Sequence, residues 1–139
     1  MILRTSLIAL AAAALVGCQT DSRDQILATD SSQVELRSIQ TRAFDTEDRE
    51  RMLRTVIATL QDLNFVIDKA DDTLGTVSAT KLDGYQVKMT VSVRPRGSAQ
   101  LLVRANAQYN LTAIEDPLPY QQFFSALERS LFLAAHEVD

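Results

Sequence analysis

The sequence predicts an α+β fold in which an antiparallel sheet of four to five strands, in the order (β)-α-β-β-β-β-α, carries two helices packed on one face. Two stretches with apolar residues at helical spacing flank a run of short segments that alternate between apolar and polar residues. Turn-forming residues separate those segments. Helices at either end of consecutive antiparallel strands are typical of an α+β layer structure, with one sheet face against the helices and the other in solvent.

The first elements are an optional strand and a helix. Residues 33–44 alternate loosely and change parity once, which predicts a strand with a bulge. Residues 47–63 carry a 3.6-residue apolar stripe after a group of acidic residues that suit an N-cap and a first helical turn, so they form the first helix. Asn64 follows, where the end of a helix favours a residue that tolerates a left-handed conformation.

Four consecutive strands are predicted to form a meander, over residues 65–69, 74–81, 86–94 and 101–109. The last two strands show the period of two most clearly. Their shared apolar face comprises Val87, Met89, Val91, Val93, Leu101, Val103, Ala105, Ala107 and Tyr109. This face is expected to pack against the helices.

The second helix is predicted over residues 120–137, after Pro117 and Pro119. Its apolar stripe comprises Tyr120, Phe123, Phe124, Leu127, Leu131, Ala134 and Val138, and Phe132 and Leu133 are expected to widen it. The aromatic part of the stripe, formed by Tyr120, Phe123 and Phe124, is expected in the core. If the helices diverge from the sheet, the same aromatic residues would line a small apolar cleft.

The amino terminus has the pattern of a secretory signal peptide over residues 1–17, with Arg4, an uncharged apolar run over residues 7–16, and Gly17 before Cys18. A run of about ten residues is too short for a bilayer-spanning helix, which needs about 20. A polar stretch follows at once, so the segment is expected to be cleaved.

Leu15-Val16-Gly17-Cys18 resembles the lipobox of bacterial lipoproteins, in which the cysteine is acylated and the chain is cut before it. The resemblance implies a lipid anchor on Cys18, which would hold the protein on a membrane and leave the thiol no redox or nucleophilic role. The alternative is an ordinary free cysteine beside a signal sequence. By the same resemblance, Gln19 implies that the protein is anchored to the outer membrane and faces the periplasm. Residues 18–32 are polar and predict a flexible lipidated tether, followed by one α+β domain over residues 33–139.

The order of elements, together with residues 60–67 and 74–81, resembles small bacterial lipoproteins with helix-grip-like domains, such as those of the BamC type in the outer-membrane protein assembly machinery. That family usually has a glycine where this chain has Asn64. The resemblance implies a helix-grip-like fold and an accessory role in the cell envelope, and it implies no site residues.

Composition excludes several function classes. The 139 residues carry a formal net charge of −4, which argues against nucleic-acid binding, and the single cysteine and single histidine exclude a disulfide framework and a Cys/His metal cluster. Cleavage after Gly17 would leave 13 basic and 18 acidic side chains.

His136 is expected to be an exposed terminal residue, and the carboxylates lie at turns and helix starts, where they suit capping. We therefore expect no catalytic residue, metal or cofactor, and no enzyme.

The sheet face opposite the helices is polar and locally basic. Its candidate partner-binding residues are Lys88, Thr90, Arg94, Arg104 and Asn106, with Ser92 and Gln108 between them. Such a face can simply be solvated, as in any half-buried sheet. It can also dock an acidic partner, or a free edge strand can pair with a partner strand.

These patterns predict a non-catalytic outer-membrane lipoprotein that acts as a binding or scaffolding subunit of a cell-envelope assembly, secretion or transport complex, with an envelope protein as partner. The alternative is a periplasmic lipoprotein that binds a small molecule or lipid in a cleft between helices and sheet. An enzyme or a peptidoglycan-binding protein has no supporting motif in the sequence.

Overall fold

Six antiparallel strands and three helices confirm the predicted α+β class in the computed structural model, which describes residues 32–82 and 84–136, with side chains as far as Leu133. From Val34 onward these residues belong to one unit. In chain order the elements are helix α1 (32–40), strand β1 (Thr41–Phe44), helix α2 (Arg49–Asp62), strands β2 (Val66–Asp71), β3 (Thr76–Leu82), β4 (Gln86–Arg96), β5 (Gln100–Tyr109) and β6 (Thr112–Ala113), and helix α3 (Pro117–His136). The predicted signal peptide, Cys18, and the tether up to residue 31 lie outside the described residues.

The segment predicted as a bulged first strand is mostly helical. Residues 32–40 form α1, and only Thr41–Phe44 form a strand, β1. The more buried side chains of α1 are Leu36, Ile39 and Gln40, which have the i, i+3, i+4 spacing of one helix face. The change of parity in the sequence therefore reflects a helical period and not a bulge.

The sheet has the strand order β1-β5-β4-β3-β2, with β6 added beside the far end of β5. All pairs are antiparallel, and β4 and β5 form the longest ladder, from Val87 opposite Tyr109 to Arg96 opposite Gln100. The short strand β6 was not predicted. It returns along β5 after a two-residue turn in which Asn110 adopts a positive φ of 53°.

Helix α2 begins and ends with local signals that the sequence indicates. The Asp48 side chain accepts a hydrogen bond from the Arg51 backbone N–H at 3.0 Å, as an N-cap does. At the other end Asn64 has a φ of 67°, which confirms the predicted left-handed residue. Its N–H donates to the Gln61 carbonyl and the Phe65 N–H donates to the Leu60 carbonyl, the two bonds of a Schellman motif.

Helix α3 begins at Pro117, three residues earlier than predicted. The N–H groups of the first helical turn have no hydrogen-bond partner within the helix, so Pro117 and Pro119, which lack an N–H, fit there. The Asp116 carboxylate accepts a hydrogen bond from the Leu118 N–H at 2.9 Å. The prediction that Phe132 and Leu133 widen the apolar stripe was wrong, because their side chains are 62% and 58% exposed. Each residue advances about 100° around a helix, which carries these two away from the buried face.

Helices α2 and α3 pack on one face of the sheet and enclose the core. The alternation predicted for β4 and β5 is confirmed except at Tyr109, which is exposed at the sheet end. The core comprises Met52, Leu53, Val56, Leu60, Phe65, Val77, Ala79, Met89, Val91, Val93, Leu101, Val103, Ala105, Ala107, Tyr120, Phe123, Phe124 and Leu127. The opposite sheet face has no described helix over it, which leaves its polar side chains accessible.

Candidate binding surfaces

The five residues predicted for partner binding lie together on the sheet face away from α2 and α3, which we call the open face. Thr90 and Asn106 are directly opposite each other in the β4–β5 ladder. Arg94 lies opposite Leu102 while Arg104 lies opposite Ser92, so the two arginines are diagonal neighbours, and the Cα atoms of such a pair are about 7–8 Å apart. Lys88 continues the row along β4.

The central strands of the open face carry only positive charges. Lys88, Arg94 and Arg104 are exposed, and none has an ion pair within the part of the chain that the structure describes. The outer strand β2 carries both signs: Lys69 lies opposite Ser78, and Asp68 accepts a hydrogen bond from the Thr80 hydroxyl at 2.5 Å. Positive charge is therefore concentrated on the central strands of an acidic protein.

The free edge of the sheet at β2 is poorly suited to pairing with a partner strand. Its register shifts between Ile67 and Lys69, which marks a bulge. Asp68, Lys69 and Asp71 put charges of both signs along it. Bulges and charges on an edge strand oppose the addition of another strand, so the geometry favours the open face over this edge as a docking surface.

On the other side of the sheet, the Tyr120 hydroxyl occupies the gap beside β5 between β1 and β6. It accepts hydrogen bonds from the Ala107 backbone N–H at 3.3 Å and from Gln40 Nε2 at 3.2 Å, and it donates to the Ile114 carbonyl at 2.6 Å. The side chain itself is fully buried. This role was not predicted. The sequence does contain a signal for it, because Tyr120 belongs to a stripe of Phe and Leu residues and a buried tyrosine hydroxyl needs a hydrogen-bond partner.

The expected cleft exists, but different residues line it. Tyr120, Phe123 and Phe124 are fully buried core residues, so they line no opening. An apolar cleft of about 370 Å³ lies instead between the helices and the end of the sheet that carries the β3–β4 and β5–β6 turns. Its lining residues are Leu63, Phe65, Lys81, Tyr85, Val87, Met89, Tyr109, Ile114, Asp116, Pro119 and Gln122.

The aromatic wall of the cleft comes from distant parts of the chain. The rings of Tyr85 and Tyr109 pack with their centroids 4.3 Å apart and tilted by 52°. The Lys81 ammonium lies 5.7 Å from the centroid of the Phe65 ring, within the range of a cation–π contact. Phe65 is held there by the Schellman motif that ends α2.

A second, more polar groove adjoins the cleft. It has a volume of about 650 Å³ and shares Leu63, Lys81 and Gln122 with the cleft. Its other lining residues are Asp62, Asn64, Gln121, Ser125, Ala126, Arg129, Ser130 and Leu133. The Lys81 side chain thus lies where a polar groove and an apolar cleft meet.

Several carboxylates have the capping roles expected of them. Asp48 and Asp116 accept backbone N–H bonds at the starts of α2 and α3, and Asp71 accepts the Leu74 N–H at 2.9 Å in the turn before β3. Within residues 32–82 and 84–136, no group of three or more His, Cys, Asp or Glu side chains could hold a metal ion. Cys18 and the side chain of His136 lie outside the described residues.

No helix in the described part of the chain is long and apolar enough to cross a membrane. No protein-family model matches this chain, and no curated protein matches it.

Proposed function

We propose that this protein is a non-catalytic, lipid-anchored subunit of a cell-envelope complex, and that the open face binds an acidic protein partner. The observation that carries the proposal is the row of Lys88, Arg94 and Arg104, exposed on the central strands without an ion pair among the described residues. Two of these cations, Arg94 and Arg104, are diagonal neighbours in the β4–β5 ladder. A partner that brings carboxylates to this face would supply the ion pairs that they lack among the described residues.

The neighbouring side chains suit such a contact. Thr90 and Asn106 lie side by side between the cations and carry short hydrogen-bonding groups, of which the Thr90 hydroxyl also contacts the Ser78 hydroxyl at 3.4 Å. Exposed interfacial charges mainly steer encounter and set specificity, so we expect binding by this face to be fast and sensitive to salt.

The location follows from the lipobox resemblance. In this proposal Cys18 carries the acyl chains, Gln19 directs the protein to the outer membrane, and the domain faces the periplasm. An anchor raises the effective concentration of the open face near membrane-embedded partners, and the tether allows it to reach them. The resemblance to BamC-type lipoproteins supports an accessory role in assembly, secretion or transport.

The experiment is affinity capture of the full-length acylated protein from crosslinked, detergent-solubilised envelopes, followed by mass spectrometry. We compare the wild type with a double variant, Arg94→Glu and Arg104→Glu. The matched control is Arg37→Glu with Arg129→Glu, which makes the same change of net charge at exposed positions of helices α1 and α3 that have no ion pair among the described residues.

We expect the wild type and the control pair to capture the same acidic envelope protein, and the open-face pair to lose about tenfold or more of it. Stability should change by less than about 0.5 kcal/mol in all variants, because each site is exposed. If the open-face pair and the control pair capture equal amounts of that protein, the open face is only a solvent-exposed surface and the proposal is contradicted.

A further inference from the structure

We propose that the apolar cleft and the groove beside it form a binding site for a single-chain amphiphile with an anionic head, such as a fatty acid, whose carboxylate pairs with Lys81. This inference concerns the side of the sheet that the open face does not use. Lys81 lies opposite Val87 in the β3–β4 ladder, while Lys88 lies opposite Thr80, so the two lysines project from opposite sheet faces.

The layout of the site matches the two parts of an amphiphile. The cleft is lined mainly by aliphatic and aromatic side chains, and its volume of about 370 Å³ is at the lower end of ligand sites in proteins, roughly 300 to 1,000 Å³. The adjoining groove is lined mostly by residues whose side chains carry amide, hydroxyl or charged groups. Because the two meet at Lys81, an apolar chain can lie in the cleft while its head stays in the polar groove.

The charge at the junction favours an anion. The Lys81 ammonium has a cation–π contact with Phe65 and no ion pair among the described residues. The carboxylate that lines the cleft, Asp116, accepts the Leu118 N–H as the N-cap of α3. The groove that would take the head is lined by one carboxylate, Asp62, and by two cations, Lys81 and Arg129, none of which has an ion pair among the described residues. An incoming carboxylate would thus find an excess of one positive charge there.

The surface around the cleft is apolar as well. Leu111 is 94% exposed in the turn after β5, at the same end of the sheet as the cleft residues Tyr85 and Tyr109. Leu118 is exposed at the start of α3, beside the cleft residue Pro119. A cluster of exposed apolar side chains around an opening is typical of a binding site for apolar ligands or of a membrane contact.

The test is isothermal titration of the full-length chain carrying Cys18→Ser, which has no acylation site, with dodecanoate below its micellar range. Lys81→Gln removes the cation of the site. Lys88→Gln is the matched control, because it removes the same charge from the opposite sheet face. Gln122→Trp places a large side chain at an exposed position that lines both cavities.

We expect saturable binding of dodecanoate that Lys88→Gln leaves unchanged and that Lys81→Gln weakens by about tenfold or more. Gln122→Trp should abolish binding at an unchanged melting temperature, and dodecyltrimethylammonium should bind far more weakly than dodecanoate. No saturable binding, equal effects of the two lysine variants, or full binding by Gln122→Trp would each overturn the inference. The Arg94→Glu, Arg104→Glu pair should leave dodecanoate binding intact, so failure here is separate from failure of the proposed partner surface.

Discussion

Replacing Tyr120 by Phe removes a single buried oxygen atom that joins four parts of the fold. The hydroxyl accepts from Gln40 at the end of α1 and from Ala107 in β5, and it donates to Ile114 between β6 and α3. The substitution changes the side-chain volume too little to reshape the core. The variant therefore isolates the contribution of these hydrogen bonds from that of apolar packing.

The magnitude follows from the groups left without a partner. Gln40 is 5% exposed and Ala107 is 2% exposed, so water cannot readily replace the hydroxyl at either group. A buried polar group without its bond costs about 1–3 kcal/mol. The two accepted bonds are long, at 3.2 and 3.3 Å, and the Ile114 carbonyl is only partly buried, so we expect a total loss of about 2–4 kcal/mol.

The assay is urea unfolding of the full-length chain, followed by circular dichroism, with Tyr109→Phe as the control. Tyr109 is 42% exposed and has no hydroxyl hydrogen bond among the described residues, so its variant should lose less than about 0.5 kcal/mol. Equal stabilities of Tyr120→Phe and Tyr109→Phe, at unchanged m-values, would refute the reasoning that the buried hydroxyl closes the gap beside β5.

Two further predictions concern a turn and the anchor. In urea unfolding, Gly75→Ala should lower the free energy of unfolding by about 1–3 kcal/mol more than Gly97→Ala does. Both glycines have a positive φ, so that strain is common to the two variants. A Cβ at Gly75 would lie 2.6 Å from the Val93 carbonyl oxygen, whereas a Cβ at Gly97 would meet nothing within 4 Å. Equal losses would show that the close approach to Val93 is harmless. Cys18→Ser should give an uncleaved or mislocalised precursor that takes up no labelled palmitate, measured by membrane fractionation and gel migration; normal processing and attachment would contradict the lipobox assignment.

The strands and the helix ends follow from local patterns in the sequence. Along β4 and β5 the period of two identifies the buried face, because successive side chains of a strand point to opposite sides. The left-handed Asn64 and the capping Asp48 depend on groups within a few residues of each other. Local sequence can specify such features because the atoms that stabilise them belong to the same short segment.

The structure of residues 33–44 could not be predicted from the local sequence. Over twelve residues a helical stripe and a bulged strand have similar apolar spacing, and the choice depends on what the segment packs against. In the structure the buried side chain of Gln40 binds the hydroxyl of Tyr120, eighty residues away. This contact lies outside any sequence window.

By itself the sequence determined the fold class, the apolar face of the central strands and the set of polar residues on the opposite face. Only the tertiary structure decided that Arg94 and Arg104 are diagonal neighbours, that the aromatic residues of α3 fill the core, and that the cleft opens at Lys81 instead. The physical reason is that periodicity assigns a side chain to a face, whereas its neighbours on that face depend on strand register and helix packing. Those are set by contacts between segments distant in the chain.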